Sequence, residues 1–179
     1  MITLTKSPPI FSLEDFQANP PENKEWVNGQ LIEKNVMTLH HSKLQATLAF
    51  LWKKYLLESG QGGEVYVELP CITTGRGRRP DVCYLGSELV AQYGNEATLP
   101  QSPNLVAEIV SPNDVAEDLF SKAAEYLESG CGEVWLVFPE SHRLLILTMN
   151  QTLAFQGADT ASTQQVLLGF RVTLPELFA

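Results

Sequence analysis

The sequence predicts a three-layer α/β/α domain built on a central mixed β-sheet. Three observations point there. An apolar strand-like run, Leu105 to Val110, is followed by a helix-start signal and then by a second apolar run, Glu133 to Phe138. An Asn-Gly dipeptide separates two short β-like segments around Asn28, and a long amphipathic stretch begins near Leu39. A strand, helix and strand in succession join parallel strands, whereas a two-residue turn joins antiparallel ones, so the sheet is mixed. Helices on its two faces complete the layers.

Taken in order, Ser12 caps a short helix from Leu13 to Ala18, and Pro20-Pro21 stops it. Glu25 to Glu33 forms a hairpin, because Asn28-Gly29 supplies the two positive-φ positions of a type I′ turn between Trp26-Val27 and Leu31-Ile32. A long helix runs from about Leu39 to Glu58. Its apolar residues Leu44, Leu48, Leu51, Trp52 and Tyr55 recur at helical spacing, and Gly60 ends it. Three strands follow: Glu64 to Cys71, Arg79 to Leu85, and Leu105 to Val110. A Gly- and Arg-rich turn, Thr73 to Arg78, precedes the second.

Ser111-Pro112-Asn113-Asp114 opens the next helix, with Glu117 three residues past Asp114 in a capping-box arrangement, and the helix runs to about Ser129. Gly130 and Gly132 end it. Glu133 to Phe138 and Arg143 to Thr148 are further strands, and the remainder forms a terminal hairpin and a short helical end. No internal repeat or low-complexity linker divides the chain, so residues 1–179 are expected to form one domain.

With 179 residues and 44% hydrophobic content, the chain can bury a substantial core. No apolar run approaches the ~20 residues needed to span a bilayer, and the opening MITLTKSPPI lacks the pattern of a secretion signal. A cytoplasmic location away from membranes is the expectation. Cys71, Cys83 and Cys131 are odd in number and widely spaced, which predicts free thiols and supports neither a disulfide framework nor a cysteine zinc site. The net charge of −9, from 12 basic and 21 acidic residues, argues against non-specific nucleic-acid binding by the whole surface. A nucleic-acid ligand would need a local basic patch, bound cations or a dimeric cleft.

Two carboxylates stand out chemically. Glu108 interrupts a run that otherwise reads as a strand buried on both faces. A carboxylate there costs several kcal/mol unless it is paired, protonated or metal-bound; the alternative is a partly solvated face. Asp81 opens the apolar run Val82 to Leu85 one strand earlier, although Pro-Asp alone is a common turn dipeptide. Two carboxylates converging at a sheet edge suit Mg2+, which takes one or two protein carboxylates and fills its remaining positions with water and substrate phosphate.

Several segments together resemble a known family. They are Arg79-Pro80-Asp81-Val82, the run Val106 to Pro112, Lys122-Ala123-Ala124-Glu125-Tyr126 with Gly130 and Glu133 to Val137, the Asn28-Gly29 hairpin, His41 and the closing Leu174 to Phe178. In this order and spacing they resemble the PD-(D/E)XK nuclease superfamily and, within it, the cyanobacterial-type Uma-two family of restriction-endonuclease-like proteins. The resemblance implies a restriction-endonuclease-like fold, an endonuclease hydrolysing DNA phosphodiesters, Mg2+ or Mn2+ held by Asp81 and Glu108, and a homodimer.

The superfamily lysine usually lies two residues past the second acid, where this chain has Val110. The resemblance moves that role to Lys122 on the following helix, where it would orient water or stabilise the charged transition state. Read without the resemblance, Lys122 is a surface lysine paired with Asp118 or Glu125. His41 is an accessory candidate beside a simpler reading as a cap or core residue, and Glu68 is an outer carboxylate candidate beside a solvated one. Arg76, Arg78 and Arg79 form the one cationic cluster, offered either to a DNA backbone or to solvent. Where family members often carry Asp before Pro139, this chain has Phe138. The rival reading is a catalytically inactive nucleic-acid-binding or regulatory module of the same fold. A third reading, a hydrolase using Ser42 and His41, is poorly supported, because adjacent helical residues diverge and no G-x-S-x-G turn exists.

Overall fold

The computed structural model describes residues 11–35 and 37–179; the segment MITLTKSPPI, read above for the absence of a secretion signal, lies outside them. Local rules produce the first elements. Helix α1 (Leu13–Ala18) carries a reciprocal cap, with the Asp15 N–H on Ser12 Oγ and the Ser12 N–H on the Asp15 carboxylate. Strands β1 (Lys24–Val27) and β2 (Gln30–Glu33) flank Asn28 at φ 51° and Gly29 at φ 84°, the two left-handed positions of the expected turn. Thr38 caps α2 (Leu39–Ser59) through the His41 N–H, and Gly60 at φ 69° ends it.

The central sheet has the order β10-β9-β8-β7-β6-β3. It is made of β3 (Glu64–Val67), β6 (Val82–Leu85), β7 (Leu105–Ile109), β8 (Glu133–Phe138), β9 (Arg143–Leu147) and β10 (Thr152–Gln156). Within it β7 and β8 pair in parallel and the other pairs are antiparallel, as the crossover through α4 (Ala116–Glu128) requires. The pleat sends alternate residues to two cores. On one face Leu44, Leu48 and Trp52 of α2, with Leu174 and Leu177 of α5 (Leu174–Leu177), cover Val82, Ala107, Trp135 and Val137. On the other, Ala123, Tyr126 and Leu127 of α4, with Leu89 of α3 (Ser87–Tyr93), cover Cys83, Val106, Val134 and Leu136. Three layers result. A terminal pair, β11 (Thr160–Ser162) with β12 (Arg171–Thr173), is antiparallel. All three cysteines are buried free thiols.

Four local expectations are corrected. The Gly- and Arg-rich segment is a hairpin, β4 (Cys71–Thr73) and β5 (Arg76–Arg78), and it joins the first hairpin in a second sheet of order β2-β1-β5-β4. Gly75 at φ 72° turns it. Gly77 pairs with Trp26 and lies so close under Phe16 that a Cβ there would clash with the ring. The strand expected over Glu64 to Cys71 breaks at Glu68, whose φ is 51°, and that expected over Arg79 to Leu85 begins only at Val82. Helix α3 was not anticipated. Asp114 caps no helix; its carboxylate accepts the Ser111 N–H at 2.7 Å and Asn35 Nδ2 at 2.6 Å, and α4 starts at Ala116.

Candidate active site

The pairing of β6 with β7 sets the site. Val82 lies opposite Ala107, so one step further along this antiparallel ladder Asp81 lies opposite Glu108, and cross-strand partners share a face. That is the α4 face, since Glu108 alternates with Ala107 and Ile109 and follows Val106. The Ile109 N–H donates to Asp81 Oδ2 at 2.7 Å, which locks the aspartate to the end of the neighbouring strand. Both carboxylates are buried and line one cavity of about 490 Å³ together with Glu25, Lys34, His41 and Lys122.

Helix α4 delivers Lys122 and, one turn on, Tyr126. Lys122 Nζ lies 2.9 Å from Glu108 Oε1 and 2.9 Å from Glu25 Oε1, and the Tyr126 hydroxyl donates to the same Glu108 oxygen at 2.9 Å. Lys122 therefore lies inside the cavity, not on the surface with Asp118 or Glu125. Glu125 instead accepts from Arg78, Arg76 and Thr73. A second ammonium, which the sequence did not flag, enters from the residue after β2: Lys34 Nζ is 2.8 Å from Asp81 Oδ1, 2.9 Å from each Glu68 oxygen and 2.8 Å from the Arg79 carbonyl. Gln45 of α2 donates to the Asp81 carbonyl and to Glu68, so Glu68, though partly exposed, is tied into the group around Asp81.

His41 is buried with both ring nitrogens lacking a hydrogen-bond partner among the described residues, and its Nε2 stands 3.4 Å from Asp81 Oδ2 without hydrogen-bond alignment. The arginine trio is engaged internally. Arg78 is buried between Glu25 and Glu125, and Arg79 donates to the carbonyls of Glu68 and Pro21. Arg76, bound to Glu125, keeps a third of its side chain exposed and is the member best placed to meet a ligand.

Charge pairing separates the acids. Burial pushes Asp81 upward, but His41 and the Lys34 ammonium outweigh it and hold the carboxyl well below the usual range. Burial likewise opposes ionisation of Glu25, yet Lys122 and Arg78 bring it down to about 2. Glu108 is the exception. Burial dominates there, Lys122 counters it and Asp81 adds to it, leaving the group pushed up to about 7. The single charge of Lys122 is shared with Glu25, so it compensates Glu108 incompletely.

A consequence follows for Glu25. Its folded value lies below its ordinary 4.5, so the stability it contributes is present above about pH 4.5 and is lost as pH falls towards 2. Urea unfolding between pH 6 and pH 2.5 is expected to show this loss. The Glu25→Gln protein should be less stable by about 3 to 5 kcal/mol at pH 6, having left buried cations underpaired, and should show a flatter acid limb. An identical acid limb in the two proteins would place the sensitivity elsewhere.

The donor set fits a small divalent ion. Two carboxylates on one sheet face, beside a buried imidazole with no partner, match an ion that takes few protein oxygens and completes its shell with water and phosphate. Among the described residues no group of three or more His, Cys, Asp or Glu side chains is gathered for a metal, so an all-protein cage is not what this cavity offers.

Sequence reasoning had reached Asp81, Glu108, Lys122, His41 and Glu68, and it missed Glu25 and Lys34. Glu25 carried a weak signal as a charged residue beside Trp26 in a hairpin strand; Lys34 carried none, since a lysine after a hairpin reads as solvated.

Comparison with known proteins agrees with this architecture. The model of Uma2, described as "Putative restriction endonuclease", matches residues 11–175. A crystal structure described as a putative nuclease belonging to DUF820 from Anabaena variabilis superposes with a TM-score of 0.82 at 18% identity, over 93% of this chain and 97% of that one. The domain thus has the expected restriction-endonuclease-like fold. No curated protein matches the chain. Among the described residues no helix is long and apolar enough to cross a membrane.

Proposed function

The chain belongs to the Uma2 family of restriction-endonuclease-like proteins, and from that premise we propose that it is a divalent-metal-dependent endonuclease hydrolysing DNA phosphodiesters. The observation that carries the reading is the cross-strand pair Asp81 and Glu108, with the Lys122 ammonium 2.9 Å from Glu108, all lining one cavity. Asp81 and Glu108 would hold Mg2+ or Mn2+, with His41 beside Asp81. When bound, the ion supplies a more acidic water and neutralises charge on the phosphate. Lys122 is kept protonated by Glu108 and Glu25, so it presents a fixed positive charge to the oxygens where negative charge develops. Tyr126 donates to the same Glu108 oxygen that Lys122 meets and so helps fix the orientation of the carboxylate.

The net negative charge fits this division of labour, because charge for the phosphate would come from the ion and the cavity ammoniums. Cutting both strands needs two sites, and a homodimer would provide them.

The test is plasmid nicking. Purified protein with Mg2+ or Mn2+ is expected to convert supercoiled DNA to the open circular form, EDTA to stop the conversion and added ion to restore it. Intact plasmid under both ions would replace this reading with the inactive nucleic-acid-binding module.

A further inference from the structure

Four oxygens surround Lys34 Nζ: one from Asp81, both from Glu68 and the Arg79 carbonyl, all at 2.8 to 2.9 Å. An ammonium has three protons, so this seat offers more acceptors than the group can use. The side chain is largely buried, at 13% exposure, whereas Glu68 at the edge of the seat is 25% exposed. The seat is divided between two acids with different surroundings. Asp81 Oδ1 faces Lys34 while Oδ2 is committed to the Ile109 N–H; Glu68 gives both oxygens to Lys34 and takes a further bond from Gln45.

We propose that Lys34 is a built-in counter-ion which a divalent cation must displace from Asp81, so that ion binding is an exchange with a residue of the chain itself. The inference rests on the metal-dependent reading above. A doubly charged ion on Asp81 and the Lys34 ammonium cannot share that carboxylate without strong repulsion at this separation and burial. Lys34 has somewhere to go: three of its four oxygens remain if it leaves Asp81 and stays on Glu68 and the Arg79 carbonyl. Its four-carbon stem allows that small withdrawal without moving the backbone. Nearby, Asn35 is tied to Asp114 at the entrance to α4, which keeps the chain in place while the side chain shifts. At Asp81 the exchanging group is Lys34 alone, because Lys122 pairs with Glu108 and Glu25 and makes no ion pair with Asp81. Without an ion Lys34 keeps Asp81 ionised and oriented; with one, it stays on Glu68 as a cation lining the same cavity.

The experiment measures Mn2+ and Mg2+ binding by calorimetry, without DNA, in wild type, Lys34→Gln, Lys34→Met and Asp81→Asn. Glutamine retains hydrogen-bond donors to Glu68 and Asp81, and so offers a second folded variant if methionine fails. The expected result is binding about tenfold tighter or more in the Lys34 variants, none in Asp81→Asn, and a shift of the Lys34 Nζ resonance when ion is added to the wild-type protein. If wild type binds through Asp81 while the Lys34 variants bind equally or more weakly, or if the wild-type resonance does not move, the exchange is wrong and the metal reading stands. If neither wild type nor the Lys34 variants bind either ion, both are overturned.

Discussion

Lys122→Met is expected to slow DNA cleavage about 100- to 1000-fold without weakening divalent-ion binding, because one preorganised donor at a developing oxyanion is worth about 3 to 4 kcal/mol. An ammonium cannot ligate a cation, and its removal relieves repulsion, so the ion is expected to bind as well or better. Methionine preserves the stem beside Tyr126. The variant should nonetheless be less stable by about 3 to 5 kcal/mol, since Glu25 and Glu108 each lose a buried partner at 2.9 Å. Rates are therefore compared at a temperature where urea titration shows both proteins folded. Lys53→Ala is the control: Lys53 pairs with Glu64 on an exposed face, where such pairs contribute about 0 to 1 kcal/mol. Equal rates for folded wild type and Lys122→Met would remove Lys122 from the chemistry.

Asp81→Asn is expected to abolish the stabilisation that Mg2+ confers. At free ion about 100-fold above Kd a wild-type site contributes about 2.7 kcal/mol. In a chain of this size that raises Tm by about 5 to 10 °C. Asparagine keeps the shape of the side chain and an oxygen for the Ile109 N–H, but not the charge that would hold the ion. Without ion the variant retains Lys34 on Glu68, so it is expected to fold. Melting curves with Mg2+, with Mn2+ and with K+ at matched ionic strength separate site binding from screening. An unchanged Mg2+ increment in the variant would place the ion elsewhere.

Much of this architecture was determined locally and was therefore readable from the chain alone. The Ser12 cap, the Asn28-Gly29 turn, the apolar repeat of α2 closed by Gly60, and the strand–helix–strand crossover between β7 and β8 each depend on interactions within a few residues or on one periodicity. Asp81 and Glu108 were conspicuous for the same reason, as isolated charges against apolar runs whose burial could be anticipated.

Long-range pairing decided what remained. Whether the arginine-rich segment is a solvated turn or β5 depends on Trp26 pairing with Gly77 beneath Phe16, a contact that neither segment announces. Lys34 and Glu25 acquire their roles from Asp81 and Lys122, residues distant in sequence that only the packed sheet brings within 3 Å. Lys122 itself had a local alternative on its own helix, with Asp118 or Glu125, and took Glu108 and Glu25 instead. Arg78, Arg76 and Thr73 already engage Glu125, and two buried carboxylates without a cation would be far costlier than one exposed helical pair forgone. Local sequence thus determined where charges were placed on strands and helices, and desolvation in the folded interior decided which of them had to meet.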